Sequence, residues 1–182
     1  AGTDDIESGR VIDPAGFGFP VTPVEMPTQT HMFGIMFAPT DRITVVGMLP
    51  ITTMEMDNVT REGGTFTTES SGVGDSKLAG LWMLDPTGDQ RVHVMLVVGI
   101  PSGATGKNDV TPLSDPREAR LPYPMQTGTG TWNLSPGLTY LGQAGEWSWG
   151  GQALPTFRLG DNERDYRFGH QYMATAWGAR RL

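Results

Sequence analysis

The sequence predicts an all-β protein, an antiparallel up-and-down meander forming part of a transmembrane β-barrel with short turns on one rim and long loops on the other. Three observations predict it: apolar and polar residues alternate with period two, the alternating segments are almost free of charge, and connections switch between short and long.

Residues 1–30, rich in proline and acids, are expected to form an irregular N-terminal segment, and residues 31–182 the β-barrel unit. The first hairpin pairs residues 31–38 with 43–56 through the turn Pro39-Thr40-Asp41-Arg42. A second runs Leu78, Gly80, Trp82 and Leu84 into the turn at 85–90, then Val92, Val94, Leu96, Val98 and Ile100. The clearest alternation follows. Trp132, Leu134, Pro136, Leu138 and Tyr140 interleave with Thr131, Asn133, Ser135, Gly137 and Thr139, which means a strand with one apolar and one polar face. After Gly142-Gln143-Ala144-Gly145-Glu146 the pattern repeats from Trp147 to Leu159, broken only by Leu154, and residues 171–179 supply a last strand. About seven strands are expected.

The short connections at 39–42, 85–90 and 142–146 alternate with long ones near 57–75, 101–130 and 160–170, as in bacterial outer-membrane barrels. Segments 31–40, 43–54, 78–84, 92–106, 121–145 and 147–157 contain no Asp, Glu, Lys or Arg. A sheet with one face in water carries such residues on that face, whereas a wall touching hydrocarbon excludes them. Trp132, Tyr140, Trp147, Trp149, Tyr172 and Trp177, near strand ends, fit aromatic girdles at the membrane interfaces. An open sheet in lipid would leave backbone groups unpaired, so other strands or chains are expected to complete the barrel.

Composition narrows the function. Net charge is −7, which argues against a nucleic-acid partner, since backbone binding needs a basic stripe. The absence of cysteine removes disulfide scaffolds, thiolate metal sites and thiol nucleophiles. No stretch approaches the roughly 18 apolar residues of a spanning helix.

The glycine motifs fail as nucleotide loops. Gly99 to Lys107 places Pro101 where a phosphate loop needs its first glycine, and Asn108 where it needs Ser or Thr. Gly72-Val73-Gly74 and Gly128-Thr129-Gly130 lack a third glycine and a following helix. Asp161-Asn162-Glu163-Arg164-Asp165 lacks the ligand spacing of a calcium loop and reads as a solvated tip. With no nucleophile elbow, no spaced carboxylate pair and His31, His93 and His170 on separate segments, the residues give no sign of an enzyme and no cofactor.

Four phrases carry a resemblance: Gly72 to Gly80 (GVGDSKLAG), Gly99 to Gly103 (GIPSG), Gly128 to Tyr140 (GTGTWNLSPGLTY) and Trp147 to Gly150 (WSWG). In their order and spacing, from about residue 31 onward, they resemble the outer-membrane β-barrel family of the meta-pathway of phenol degradation. Pro101-Ser102-Gly103 departs from the family's Pro-Thr-Gly. The resemblance implies the bacterial outer membrane as location, its lipid as partner, and passage of small, even aromatic, solutes as function. Thr131, Asn133, Ser135, Thr139, Ser148, Gln152, Thr156 and Arg158 are the expected lumen-lining residues, and Lys77 and Arg158 the charges nearest strand interiors.

Two other readings compete. One is a soluble or secreted β-sheet binding or structural protein whose long loops contact partners. The other is a copper-binding surface built from His31, Met32, Met54 and Met56, because thioether and imidazole ligands suit Cu(I). Methionine as a flexible filler of apolar gaps explains the same residues without a metal.

Overall fold

The computed structural model describes residues 6–7, 10–11, 20–84 and 89–181. The chain forms β1 (Ile6–Glu7), β2 (Arg10–Val11), β3 (Val21–Glu25), β4 (Thr28–Thr40), β5 (Ile43–Thr60), β6 (Thr65–Val73) and β7 (Ser76–Met83). It continues with β8 (Gln90–Ile100), β9 (Asn108–Val110), β10 (Glu118–Arg120), a 3-10 turn (Tyr123–Met125), β11 (Trp132–Ala144), β12 (Trp147–Ala153), β13 (Phe157–Leu159) and β14 (Ala174–Arg180). Every strand pairing with a stated register is antiparallel, so the protein is the all-β meander its alternation implies.

Contacts divide the chain into two units, the first made of residues 1–31, 51–74 and 103–128, the second of residues 32–50, 75–102 and 129–182. In the second unit the strand order is β4-β5-β7-β8-β11-β12-β14, with β13 also on β11. Its hairpins are tighter than the sequence suggested. β4 and β5 are joined by Asp41-Arg42 alone, with Thr40 Oγ1 accepting the N–H groups of Arg42 and Ile43 at 3.3 and 3.1 Å. β11 and β12 are joined by Gly145-Glu146, where Gly145 has φ +56°, a left-handed conformation that costs glycine nothing. The turn at 85–88 lies outside the described residues.

The register gives the two faces of this sheet opposite characters. One face carries Val45, Gly47 and Leu49 on β5, then Leu78, Gly80 and Trp82 on β7. Val94, Leu96 and Val98 on β8 continue it, followed by Leu134, Pro136 and Leu138 on β11. Ala153, Gly151, Trp149 and Trp147 extend it on β12, then Ala174, Ala176 and Gly178 on β14; the first charge is Arg180, beside Glu146 of the turn. These apolar residues are exposed: Trp82 is 55%, Leu138 52%, Leu78 49% and Leu96 47% accessible. The other face is the buried one, with Ala79 at 3%, Ser135 at 7% and Asn133 at 9%. A water-soluble sheet buries its apolar face. Here an apolar face is the exposed one.

The first unit overturns two loop expectations. Residues 57–75 form the end of β5 and all of β6, paired from Ile51↔Val73 to Val59↔Thr65. Acidic residues made this stretch read as a connection, but Glu55, Asp57 and Glu69 stand on the exposed side while Met54, Met56, Asn58, Thr68 and Ser70 are buried. Within the N-terminal segment expected to be irregular, Val21–Glu25 and the start of β4 are strand, and β3 pairs with residues 57–60 of β5. Pro23 is tolerated there because the register shifts between Pro23 and Glu25. Residues 103–128 hold the β9–β10 pair and the 3-10 turn, and their Leu121 and Met125 pack on Met56. The Asp109 carboxylate accepts the Glu69 N–H at 2.8 Å, tying this segment to β6. A Cβ on Gly103 would lie 2.5 Å from Gly128 Cα, so two backbone segments touch where only glycine fits.

Candidate functional site

The buried face of the second unit lines a cavity of about 430 Å³. Its walls are rows of cross-strand neighbours. Met48, Lys77, Gly99 and Asn133 are successive partners on β5, β7, β8 and β11, and Arg158 on β13 pairs with Asn133 from the other side. The next row inward is Val46, Ala79, Val97 and Ser135, and the one after it Thr44, Leu81, Met95 and Gly137. Further along lie His93, Thr139, Gln152 and Thr175. The face is therefore polar at both ends with an apolar belt between. Leu154 reaches into the belt, because a Cβ on Gly137 would meet its Cδ1 at 2.9 Å and Met95 Cε at 3.1 Å.

Each expected lumen residue falls on or beside this face. Asn133, Ser135, Thr156 and Arg158 line the cavity. The Ser135 and Thr156 hydroxyls are 2.8 Å apart, and Gln152 Nε2 donates to Thr139 Oγ1 at 3.0 Å. Thr131, 2% exposed, donates to Thr129 Oγ1 at 3.3 Å. Ser148 pairs with Gln143 at the short-turn end and is exposed.

Arg158 is positioned by its neighbours. Its N–H donates to His170 Nδ1 at 3.2 Å, and its guanidinium carbon lies 5.8 Å from the Phe168 ring centre. Its Nε is buried with no hydrogen-bond partner, as is Asn133 Oδ1. Asp75, the one carboxylate lining the cavity among the described residues, accepts the Thr129 N–H at 2.9 Å and the Thr129 hydroxyl at 2.6 Å.

The residues missed from sequence are Asp75 and the apolar belt of Val46, Ala79, Leu81, Met95, Val97 and Leu154. β8 is apolar on both faces, so its alternation did not say which side faces inward, although Gly99 opposite Asn133 would have marked it.

The copper candidates differ in burial. Met54 and Met56 are buried, Met56 against Leu121 and Met125, while His31 and Met32 are exposed. Among the described residues no group of three or more His, Asp or Glu side chains is placed to hold a metal ion. Comparison of the sequence with protein-family models gives no match, and comparison with curated proteins gives none either.

Proposed function

We propose that the chain is the wall of a bacterial outer-membrane β-barrel that passes small solutes along its polar face. The observation that carries this reading is the exposed apolar face, with Leu78, Trp82, Leu96 and Leu138 outward and Asn133, Ser135 and Thr139 inward. Two aromatic levels support it. Trp132 stands at one end of β11, and Trp149 packs across Gly142 ten residues later. At about 3.4 Å per residue and a tilt of about 40°, that separation spans roughly 26 Å of membrane, close to the height of a barrel's apolar band. The resemblance of Gly72 to Gly80 and Gly128 to Tyr140 to the phenol meta-pathway family points the same way.

Among the described residues β4 pairs only with β5, and β14 only with β12. In lipid each unpaired edge group costs several kcal/mol, so further strands or chains complete the wall.

The test exploits the absence of native cysteine. With the protein in planar bilayers, Thr139→Cys is expected to react with a charged, membrane-impermeant thiol reagent and to lose conductance, and Leu138→Cys to remain inert. Reaction of both, or no conductance from the folded wild type, contradicts the proposal.

A further inference from the structure

We infer that the charged end of the cavity binds a small organic carboxylate with an apolar body, an inference that rests on the same inward-facing surface as the proposed channel. Lys77, Gly99, Asn133 and Arg158 form one continuous row across β7, β8, β11 and β13. A Cβ on Gly99 would lie 3.0 Å from both Cβ and Nδ2 of Asn133, so the Asn133 amide lies over Gly99, in the row between the two cations. Among the described residues neither Lys77 nor Arg158 makes an ion pair.

A cation inside a wall is costly unless something completes it. The Arg158 guanidinium lies over the Phe168 ring, and its buried Nε has no acceptor. The carboxylate already in the cavity, Asp75, is engaged by both donors of Thr129. Two cations and one anion leave a surplus of one positive charge, in a chain whose net charge is −7. Asn133 adds a second buried, unpartnered polar atom at 9% exposure. Turning its amide end for end presents an N–H to an anion instead of an oxygen.

The planar fork of arginine matches a carboxylate with two parallel hydrogen bonds, and the exposed Lys77 supplies a second, mobile charge. Next to this row the belt of Val97, Met95 and Leu154 offers no polar partner. A fully hydrated ion such as phosphate leaves that belt unused, whereas a carboxylate carrying a short hydrocarbon body covers it.

The experiment is an NMR titration of hexanoate, labelled with carbon-13 at the carboxylate, into the chain folded in detergent micelles, with empty micelles as reference. Saturable binding is expected, with hexanamide and inorganic phosphate each weaker by about tenfold or more, the scale of a charge-assisted contact. Arg158→Gln is expected to weaken hexanoate by about tenfold or more, Arg158→Lys by less, and Lys77→Gln by several-fold. Equal binding of hexanoate and hexanamide, equal competition by phosphate, or no saturable binding to the folded wild type overturns the inference. If Arg158→Gln does not fold, Lys77→Gln decides on its own: the change is at an exposed side chain, and unchanged affinity overturns the inference. Conductance without binding removes the site and leaves the channel; binding without conductance removes the channel and leaves the site.

Discussion

Leu96 stands on the outward face of β8, between Gly80 on β7 and Pro136 on β11, four residues along β11 from Trp132 and six from the glycine under Trp149. It is therefore near the middle of the apolar band. Leu96→Ala removes a side chain that is 47% exposed, so the packing it loses is about half the 1.5–3 kcal/mol of a fully buried leucine, near 1 kcal/mol. On the proposed lipid-facing wall, Leu96→Arg loses the same packing and adds the cost of a charge at the bilayer midplane, about 2–4 kcal/mol. In water the same arginine would sit at a half-exposed position, where surface substitutions stay within about 0.5 kcal/mol of neutral. The quantity to measure is thus the difference between Leu96→Arg and Leu96→Ala, by urea unfolding in lipid vesicles followed through tryptophan fluorescence. The expected difference is about 2–4 kcal/mol, a factor of roughly 30 to 1000 in the folding equilibrium. A difference below about 0.5 kcal/mol would refute the reasoning, because Leu96 would then face water.

Gly150→Ala places a Cβ 2.4 Å from Trp177 Cζ2 and 2.9 Å from the Tyr140 carbonyl oxygen; a loss of about 1–3 kcal/mol is expected by the same unfolding assay, and a neutral result would mean that Trp177 does not cover β12 there. Met125→Ala, at a fully buried position, is expected to cost the first unit about 2–5 kcal/mol and to raise proteolysis within residues 103–128; unchanged protection would contradict the Met56–Leu121–Met125 core. Met54→Leu and Met56→Leu together are expected to leave Cu(I) affinity, read by competition with a chromogenic chelator, unchanged within twofold, since volume-conserving swaps keep the packing. A clear loss of affinity would point to a thioether site.

The strands most legible in the sequence were those whose two faces differ in chemistry. β11 alternates Trp132, Leu134, Pro136 and Leu138 with Asn133, Ser135 and Thr139, and both its ladder and its face assignment follow from that pattern. β8 offers Val, Leu, Met and Ile on either side, so its existence was readable but its inward residues Met95 and Val97 were not. The extension of β5 and the whole of β6 were hidden for the opposite reason. They carry Glu55, Asp57 and Glu69 on an exposed side, and freedom from charge had served as the mark of a strand. The row that joins Lys77 to Arg158 depends on register over 80 residues of sequence, and no local spacing encodes it. Arg158 is recognisable because it directly ends a charge-free stretch, whereas Asp75, flanked by other loop-like residues, is not.

The central claim is that the exposed apolar face belongs in lipid, and refolding tests it most directly. The chain is refolded into lipid vesicles and, separately, into plain buffer, and unboiled and boiled samples are compared on a gel. A heat-modifiable, β-rich band is expected from vesicles only. A monodisperse, cooperatively folded species in buffer alone, with no such band from vesicles, would contradict it.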